Sequence, residues 1–181
     1  MLDEIAGLQD SITFARELGI TTLKKDASFY GLSLVLGGGE VRPIDMVSAY
    51  SVFASGGKKV PPVSISRVED ENGRVIQENK KTAIQILDPK VTEMVTSILS
   101  DNAARTPTFG ANSPLNLLGV SAKTGSTNDF RDAWTIGYNS NIVAAVWVGN
   151  NNNEPMRKAP GVMVSSPLWR NFMEQAIVTH R

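Results

Sequence analysis

The 181-residue chain has no cysteine and a single histidine, His180, next to its C-terminus. Without cysteine it forms no disulfide, offers no thiol nucleophile and builds no thiolate metal site. One histidine leaves no material for a histidine-based triad or zinc centre. No metal or cofactor is therefore expected. A surplus of one charge sign is also missing: Lys plus Arg and Asp plus Glu number 18 each. No overall field draws the chain to nucleic acid or to an anionic membrane surface. No stretch approaches the ~18 consecutive apolar residues of a bilayer-crossing helix, and no charged-then-apolar leader is expected at the start. With 41% hydrophobic residues over this length, one domain with a core, or part of one, is expected.

What the chain does contain is concentrated between Gly119 and Asn150, GVSAKTGSTNDFRDAWTIGYNSNIVAAVWVGN. Lys123, Thr124, Gly125 and Ser126 set an ammonium, two hydroxyls and a position without a side chain in a row. Such a set suits an anionic ligand lying along a strand, since glycine lets another backbone approach closely. Asp132–Tyr138 and 142–149 follow, rich in β-branched and aromatic residues, and Asn139-Ser140-Asn141 between them reads as a hairpin turn. A bare Lys-Thr-Gly is a weak signal, because a strand lysine is more often a solvated edge charge.

The surrounding residues reverse that reading. AKTGSTNDFRDAWTIGYNSNIVAAVWVGN resembles the C-terminal part of the transpeptidase domain of penicillin-binding proteins, with the closest likeness to the bifunctional, class A type. Lys-Thr-Gly is one of the motifs of the penicillin-binding and β-lactamase group. GLSLVLGGGEVRPIDMVSAYSVFASGG resembles a segment well upstream of that strand, and SSPLWRNFM resembles the last helix. The likeness implies an α/β fold of the α+β type, an antiparallel sheet flanked by helices, with residues 1–181 forming the C-terminal portion of the domain. It implies serine acyl transfer in peptidoglycan crosslinking, with the D-Ala-D-Ala stem peptide and β-lactams as partners. It also implies an extracytoplasmic location, with the anchor and the upstream part of the domain lying outside these residues. A D,D-carboxypeptidase or a serine β-lactamase of the same fold is the alternative, as is a non-catalytic binding module that lost the serine.

Transferred by position, Lys123 would hold the substrate carboxylate and assist proton relay, and Thr124 and Ser126 would hydrogen-bond that carboxylate. Gly125 would leave room for the acyl group, and the Ser126 N–H would be one oxyanion donor. Ser126 stands where many relatives carry threonine, which keeps the hydroxyl. The likeness begins after the family's Ser-x-x-Lys and Ser-x-Asn segments, and no Ser-x-x-Lys is expected among these residues. Ser100-Asp101-Asn102 spells a further family motif but sits at the end of an amphipathic helix, a short loop before Lys123. It reads as a solvated turn. Asp129, Arg131 and Asp132 are given no role.

Elsewhere, residues 1–6 read as a helix end broken by Gly7, and Asp10–Leu18 as a helix stopped by Gly19. Gly37-Gly38-Gly39 lacks the Gly-Lys-Ser/Thr ending of a nucleotide loop and reads as a flexible connection. Pro43 opens a helix through Met46, Ala49, Tyr50 and Phe53 that should be buried. Asn72-Gly73 marks a surface hairpin. Asp88 and Pro89 open a helix bearing Val91, Met94, Val95, Ile98 and Leu99. Residues 106–118 read as a loop and 150–160 as a polar, turn-rich link. Ser165 or Ser166 is expected to cap a last helix with Pro167 in its first turn and a stripe of Leu168, Trp169, Phe172, Met173, Ala176 and Ile177.

Overall fold

Strong β-formers on either side of a three-residue link build the centre of the fold. In the computed structural model, which describes residues 6–80, 82–157 and 160–179, β6 (Asp132–Tyr138) and β7 (Val143–Gly149) pair antiparallel, with β5 (Ser121–Ser126) on the other side of β6. The Asn139 carboxamide closes the turn by accepting from the N–H groups of Asn141 and Ile142, both at 2.9 Å. This side chain substitutes for a backbone acceptor, the usual role of asparagine in a short turn. The register sets Lys123 opposite Ile136, Gly125 opposite Trp134 and Trp134 opposite Trp147.

Strand alternation divides the sheet into two faces. Ala133, Thr135 and Gly137 face α6 (Gly161–Thr179), and Trp169 packs so closely over Gly137 that a Cβ there would lie 2.2 Å from its ring. Trp169 and Met173 are fully buried with Leu115, Val120 and Ala122, and the indole N–H of Trp169 donates to the Ala144 carbonyl at 3.2 Å. On the opposite face lie Trp134, Ile136 and Tyr138, approached by α3 (Pro43–Ala54) and α4 (Pro89–Ser100). There the Tyr138 ring meets Tyr50 edge-on at 6.2 Å, and its hydroxyl pairs with Thr96 Oγ1 at 3.0 Å. A second core joins α1 (Leu8–Leu18), α2 (Ala27–Tyr30) and α3 through Ile12, Leu23, Tyr30, Ala49 and Val52. The small pairs β1 (Lys58–Lys59) with β4 (Ile84–Gln85), and β2 (Arg67–Glu69) with β3 (Val75–Glu78), lie apart from the main sheet.

Several expectations need correction. The last helix begins at Gly161, not at Ser165 or Ser166, so Pro167 lies inside it. Both serines are fully buried, and their hydroxyls meet the sheet instead of capping a helix end. The start of the expected 106–118 loop is helical: Asp101 breaks the preceding helix, and its carboxylate accepts from the Ala104 N–H to start α5 (Asn102–Phe109). The glycine triplet is no slack tether, since a Cβ on Gly38 would lie 2.5 Å from Ser33 Oγ and one on Gly39 would lie 2.7 Å from Leu23. The Pro43 helix is buried along Asp45, Ala49 and Val52 but leaves Ile44 exposed. At the surface hairpin only Gly73 of the Asn-Gly pair takes positive φ, at 79°, and the Asp70 side chain organises the turn.

The largest departure concerns α4. Its N-cap forms as the sequence implies, Asp88 accepting from the Lys90 N–H. Its apolar stripe is split, however: Val95 and Leu99 are half-buried, whereas Val91, Met94 and Ile98 are 46%, 67% and 70% exposed. The inward face is Thr92, Val95, Thr96 and Leu99, turned inward by the bonds of Thr96 to Tyr138 and to Ser121 Oγ. The apolar period located the helix but only part of the side that packs. Residues 1–5 and His180 lie outside the described residues.

Candidate active site

Strand β5 is an edge strand among the described residues, paired through β6 alone. In an antiparallel ladder each residue directs both backbone groups to the same side, and successive residues alternate. The Thr127 N–H donates to the Asp132 carbonyl at 3.2 Å, so Thr127, Gly125 and Lys123 bond inward, and Ser126, Thr124 and Ala122 turn their N–H and C=O groups to the open edge. Two of those outward carbonyls hold cations. Arg105 of α5 donates to the Ala122 carbonyl at 3.4 Å, and Lys123 Nζ to the Thr124 carbonyl at 2.6 Å. Burial lowers the Arg105 guanidinium from its ordinary range, an effect opposed by nearby Asp101. The outward Ser126 N–H remains available to an oxygen arriving at the edge.

The four residues singled out in the sequence thus lie on one strand, but their side chains divide between its faces. Register places Lys123 and Gly125 on the α3/α4 side and Thr124 and Ser126 on the α6 side. The lysine reaches the edge by curling round it. Lys123, Gly125 and Ser126 are exposed and Thr124 half-buried, so an extended ligand has access along the strand. Ser126 Oγ accepts a hydrogen bond of 3.1 Å from the Gly161 N–H at the start of α6. The helix approaches so closely that a Cβ on Gly161 would lie 3.0 Å from the Gly125 carbonyl. Beyond the strand the chain turns through positive φ at Asp129 and Phe130. Asp132 holds this turn, accepting from Thr127 Oγ1 at 2.7 Å and from the Trp147 indole at 2.8 Å.

The other motif residues lack comparable geometry. Ser100 is exposed and donates to the Ser97 carbonyl at 3.1 Å, while Asp101 caps α5. The expectation that the chain spells no Ser-x-x-Lys is incorrect, because Ser55-Gly56-Gly57-Lys58 does so. On a helix that spacing would set serine and lysine on one face. Here Gly56 and Gly57 have φ of 63° and 89°, so the motif is spelled across the turn that ends α3. Sequence reasoning missed Arg105, Thr135 and Gly161. Their signals were weak: an arginine just before an apparent loop, a strand threonine and a glycine just after a turn-rich link.

Residues 7–174 match the family described as the penicillin-binding protein transpeptidase domain, and the chain belongs to it. Within that family it is 35% identical over 174 residues to penicillin-binding protein 2D of Bacillus subtilis, covering 88% of this chain and 25% of that protein. It is 33% identical over 179 residues to penicillin-binding protein 1A of Aquifex aeolicus, covering 96% and 23%. The chain therefore spans about a quarter of the length of these curated relatives. Among solved structures, PonA1 of Mycobacterium tuberculosis superposes with a TM-score of 0.81 at 28% identity, over 94% of this chain and 50% of that one, and it has also been solved with penicillin V.

Proposed function

We propose that this chain supplies one wall of the active site of a peptidoglycan D,D-transpeptidase, with β5 as the strand along which the substrate lies. The supporting observation is the open edge, where Lys123 and the Ser126 N–H meet an incoming chain. A D-Ala-D-Ala terminus brings a carboxylate and a peptide carbonyl a few ångströms apart. Lys123 leaves the Thr124 carbonyl to hold the carboxylate, aided by the Thr124 and Ser126 hydroxyls, and Gly125 leaves room for the acyl chain. A serine hydroxyl from the upstream part of the domain attacks the carbonyl, whose oxygen gathers negative charge and accepts from the Ser126 N–H. The C–N bond breaks, and D-Ala departs with the proton that the serine gave up. A second peptide's amine then displaces the serine and forms the crosslink.

A β-lactam carries the same carboxylate and carbonyl and acylates the same serine. PonA1 with penicillin V supports β-lactams as partners. Peptidoglycan lies outside the cytoplasmic membrane, so the reading places the domain there. No described helix is long and apolar enough to cross a membrane. The Ser100 and Ser55 hydroxyls have no part in it.

The test is the rate of β-lactam acylation in the full-length parent. Lys123→Ala removes a charge-assisted hydrogen bond to the carboxylate, worth about 1.5–3 kcal/mol, or roughly ten- to a hundredfold in rate. Lys24→Ala, at an exposed α1–α2 position, should leave the rate unchanged. Lys59 would be a poor control, because its ammonium donates to the Glu17 carbonyl near the end of α1. Equal rates in the two variants would refute the assignment of Lys123.

A further inference from the structure

Behind Ser126 lies a group of hydroxyls that substrate contact does not account for. Thr135, at the centre of β6, and Ser165 and Ser166, in the first turns of α6, are all fully buried. Thr135 Oγ1 is 2.8 Å from both serine oxygens. Ser165 Oγ donates to the Gly161 carbonyl at 2.9 Å, and Ser166 Oγ lies 3.5 Å from the same oxygen. One proton arrangement uses every donor: Ser166 donates to Thr135, Thr135 to Ser165, and Ser165 to Gly161. Gly161 in turn donates its N–H to Ser126 Oγ at 3.1 Å. Hydrogen bonds on either side of the Gly161 backbone thus link the middle of the sheet to a hydroxyl on the strand edge.

Three buried hydroxyls are an expensive way to fill space, since each must find a partner where bulk solvent does not reach. Leucine or alanine would pack the same layer without that requirement. The turn they secure needs holding. Pro167 has no N–H to give the Met163 carbonyl, so the backbone ladder of α6 is broken within two turns of its start. Gly161 cannot be held by its own side chain, because a Cβ would lie 3.0 Å from the Gly125 carbonyl and 3.2 Å from Ser126 Oγ.

We propose that Thr135, Ser165 and Ser166 are positioning residues that fix Gly161 so that its N–H occupies a lone pair of Ser126 Oγ and leaves the Ser126 proton directed at the substrate carboxylate. This inference rests on the transpeptidase reading. The consequence is directional. A serine hydroxyl rotates freely about its Cβ–Oγ bond, and the Gly161 N–H removes that freedom before substrate arrives. A carboxylate then meets a donor already oriented, without the cost of ordering it on binding. Neither Thr135 nor the two serines touches substrate. Their effect passes through one N–H.

The experiment is a double-substitution cycle on β-lactam acylation in the full-length parent. Thr135→Val keeps the side-chain shape and should lower the acylation rate constant about three- to tenfold, the scale of one net hydrogen bond. Most of the change should appear in the concentration dependence, not in the limiting rate. Thr135→Ser, which keeps the hydroxyl, should restore the rate. In a Ser126→Ala background, Thr135→Val should change the rate less than about twofold, since the group it orients is gone. An equal fold-change in both backgrounds would show a general packing role and overturn the proposal, as would an unaltered rate in Thr135→Val alone. Amide hydrogen exchange at Gly161 in the same proteins gives a readout independent of activity. Protection should fall in Thr135→Val and in Ser126→Ala, and unchanged protection would overturn the positioning. A parent that no β-lactam acylates would refute the transpeptidase reading itself, while the exchange measurement would still decide whether the hydroxyl path holds Gly161.

Discussion

The two faces of the sheet are finished in different ways. On one, α6 closes the layer from within the chain: Ala133, Thr135, Trp169 and Met173 are wholly buried, and the polar atoms among them are bonded. On the other, α3 and α4 cover Ile136 and Tyr138, but α4 turns Met94 and Ile98 outward, 67% and 70% exposed. The first face has a filled core beneath α6, although the outer side of that helix also exposes Leu168 and Phe172 of the expected stripe, at 56% and 55%. The second is a layer whose outer surface still has the composition of an interior, the pattern expected of a surface that meets another protein segment. Edge strands tell the same story. β7 pairs only with β6 among the described residues, so its outer backbone groups are left open.

The completed face should suffer most from a single change. Trp169→Ala removes the largest buried side chain, its bond to the Ala144 carbonyl and the contact that covers Gly137. The loss should be about 3–5 kcal/mol, measured by denaturant unfolding. A loss below ~1 kcal/mol would mean that this face is no better packed than the other.

The helical layer depends on an internal anchor that acid should release. Asp45, 4% exposed near the start of α3, accepts from Thr21 Oγ1 at 2.6 Å, from the Thr21 N–H at 2.8 Å and from Arg42 at 2.8 Å. Burial alone would raise its carboxyl, but the hydrogen bonds and the Arg42 charge outweigh it and hold the group below its ordinary value of 3.8. A depressed folded pKa means that the unfolded chain binds the proton more readily. The stabilisation is therefore complete above the ordinary value and is lost as the pH falls through the folded one. Asp45→Asn should cost about 1.5–3 kcal/mol at neutral pH and flatten stability against pH below about 4. An unaltered acid limb of the unfolding profile would remove Asp45 as the anchor.

This division explains how much could be read from residues alone. The β6–β7 hairpin was legible because strand propensity and an Asn-rich link agree, and both are local. The Lys-Thr-Gly strand was legible as a motif, but the division of its side chains between two faces follows from pairing register, which no single stretch encodes. Ser165 and Ser166 look like helix caps before Pro167, and their burial against Thr135 depends on a strand 30 residues away. On α4 the apolar period marked a helix correctly but its packed side only in part, since Val95 and Leu99 turn inward while Val91, Met94 and Ile98 do not. A period shows that a helix buries one side, but not whether the covering partner is within the chain at hand.

The smallest effect is expected where the comparison is sharpest. Met94→Lys with Ile98→Lys places two charges on an outer surface that already contains Lys90, Glu93 and Ser97. Neither side chain supports this chain's own core, since both are about two-thirds exposed. Stability of the chain alone should change by less than about 0.5 kcal/mol. Any self-association through this surface should nevertheless decline, because hiding its apolar area from water is worth about 25 cal/mol for each Å². The same pair in the full-length parent should be strongly destabilising if upstream residues pack on this helix, because two ammonium groups would then be buried without partners. Light scattering and denaturant unfolding, run on chain and parent together, separate these outcomes. A chain that unfolds on taking the two lysines would place Met94 and Ile98 in its own core. A parent that tolerates them as readily as the chain would make the outer surface of α4 an ordinary solvent face, and the two sides of the sheet would then differ in composition alone.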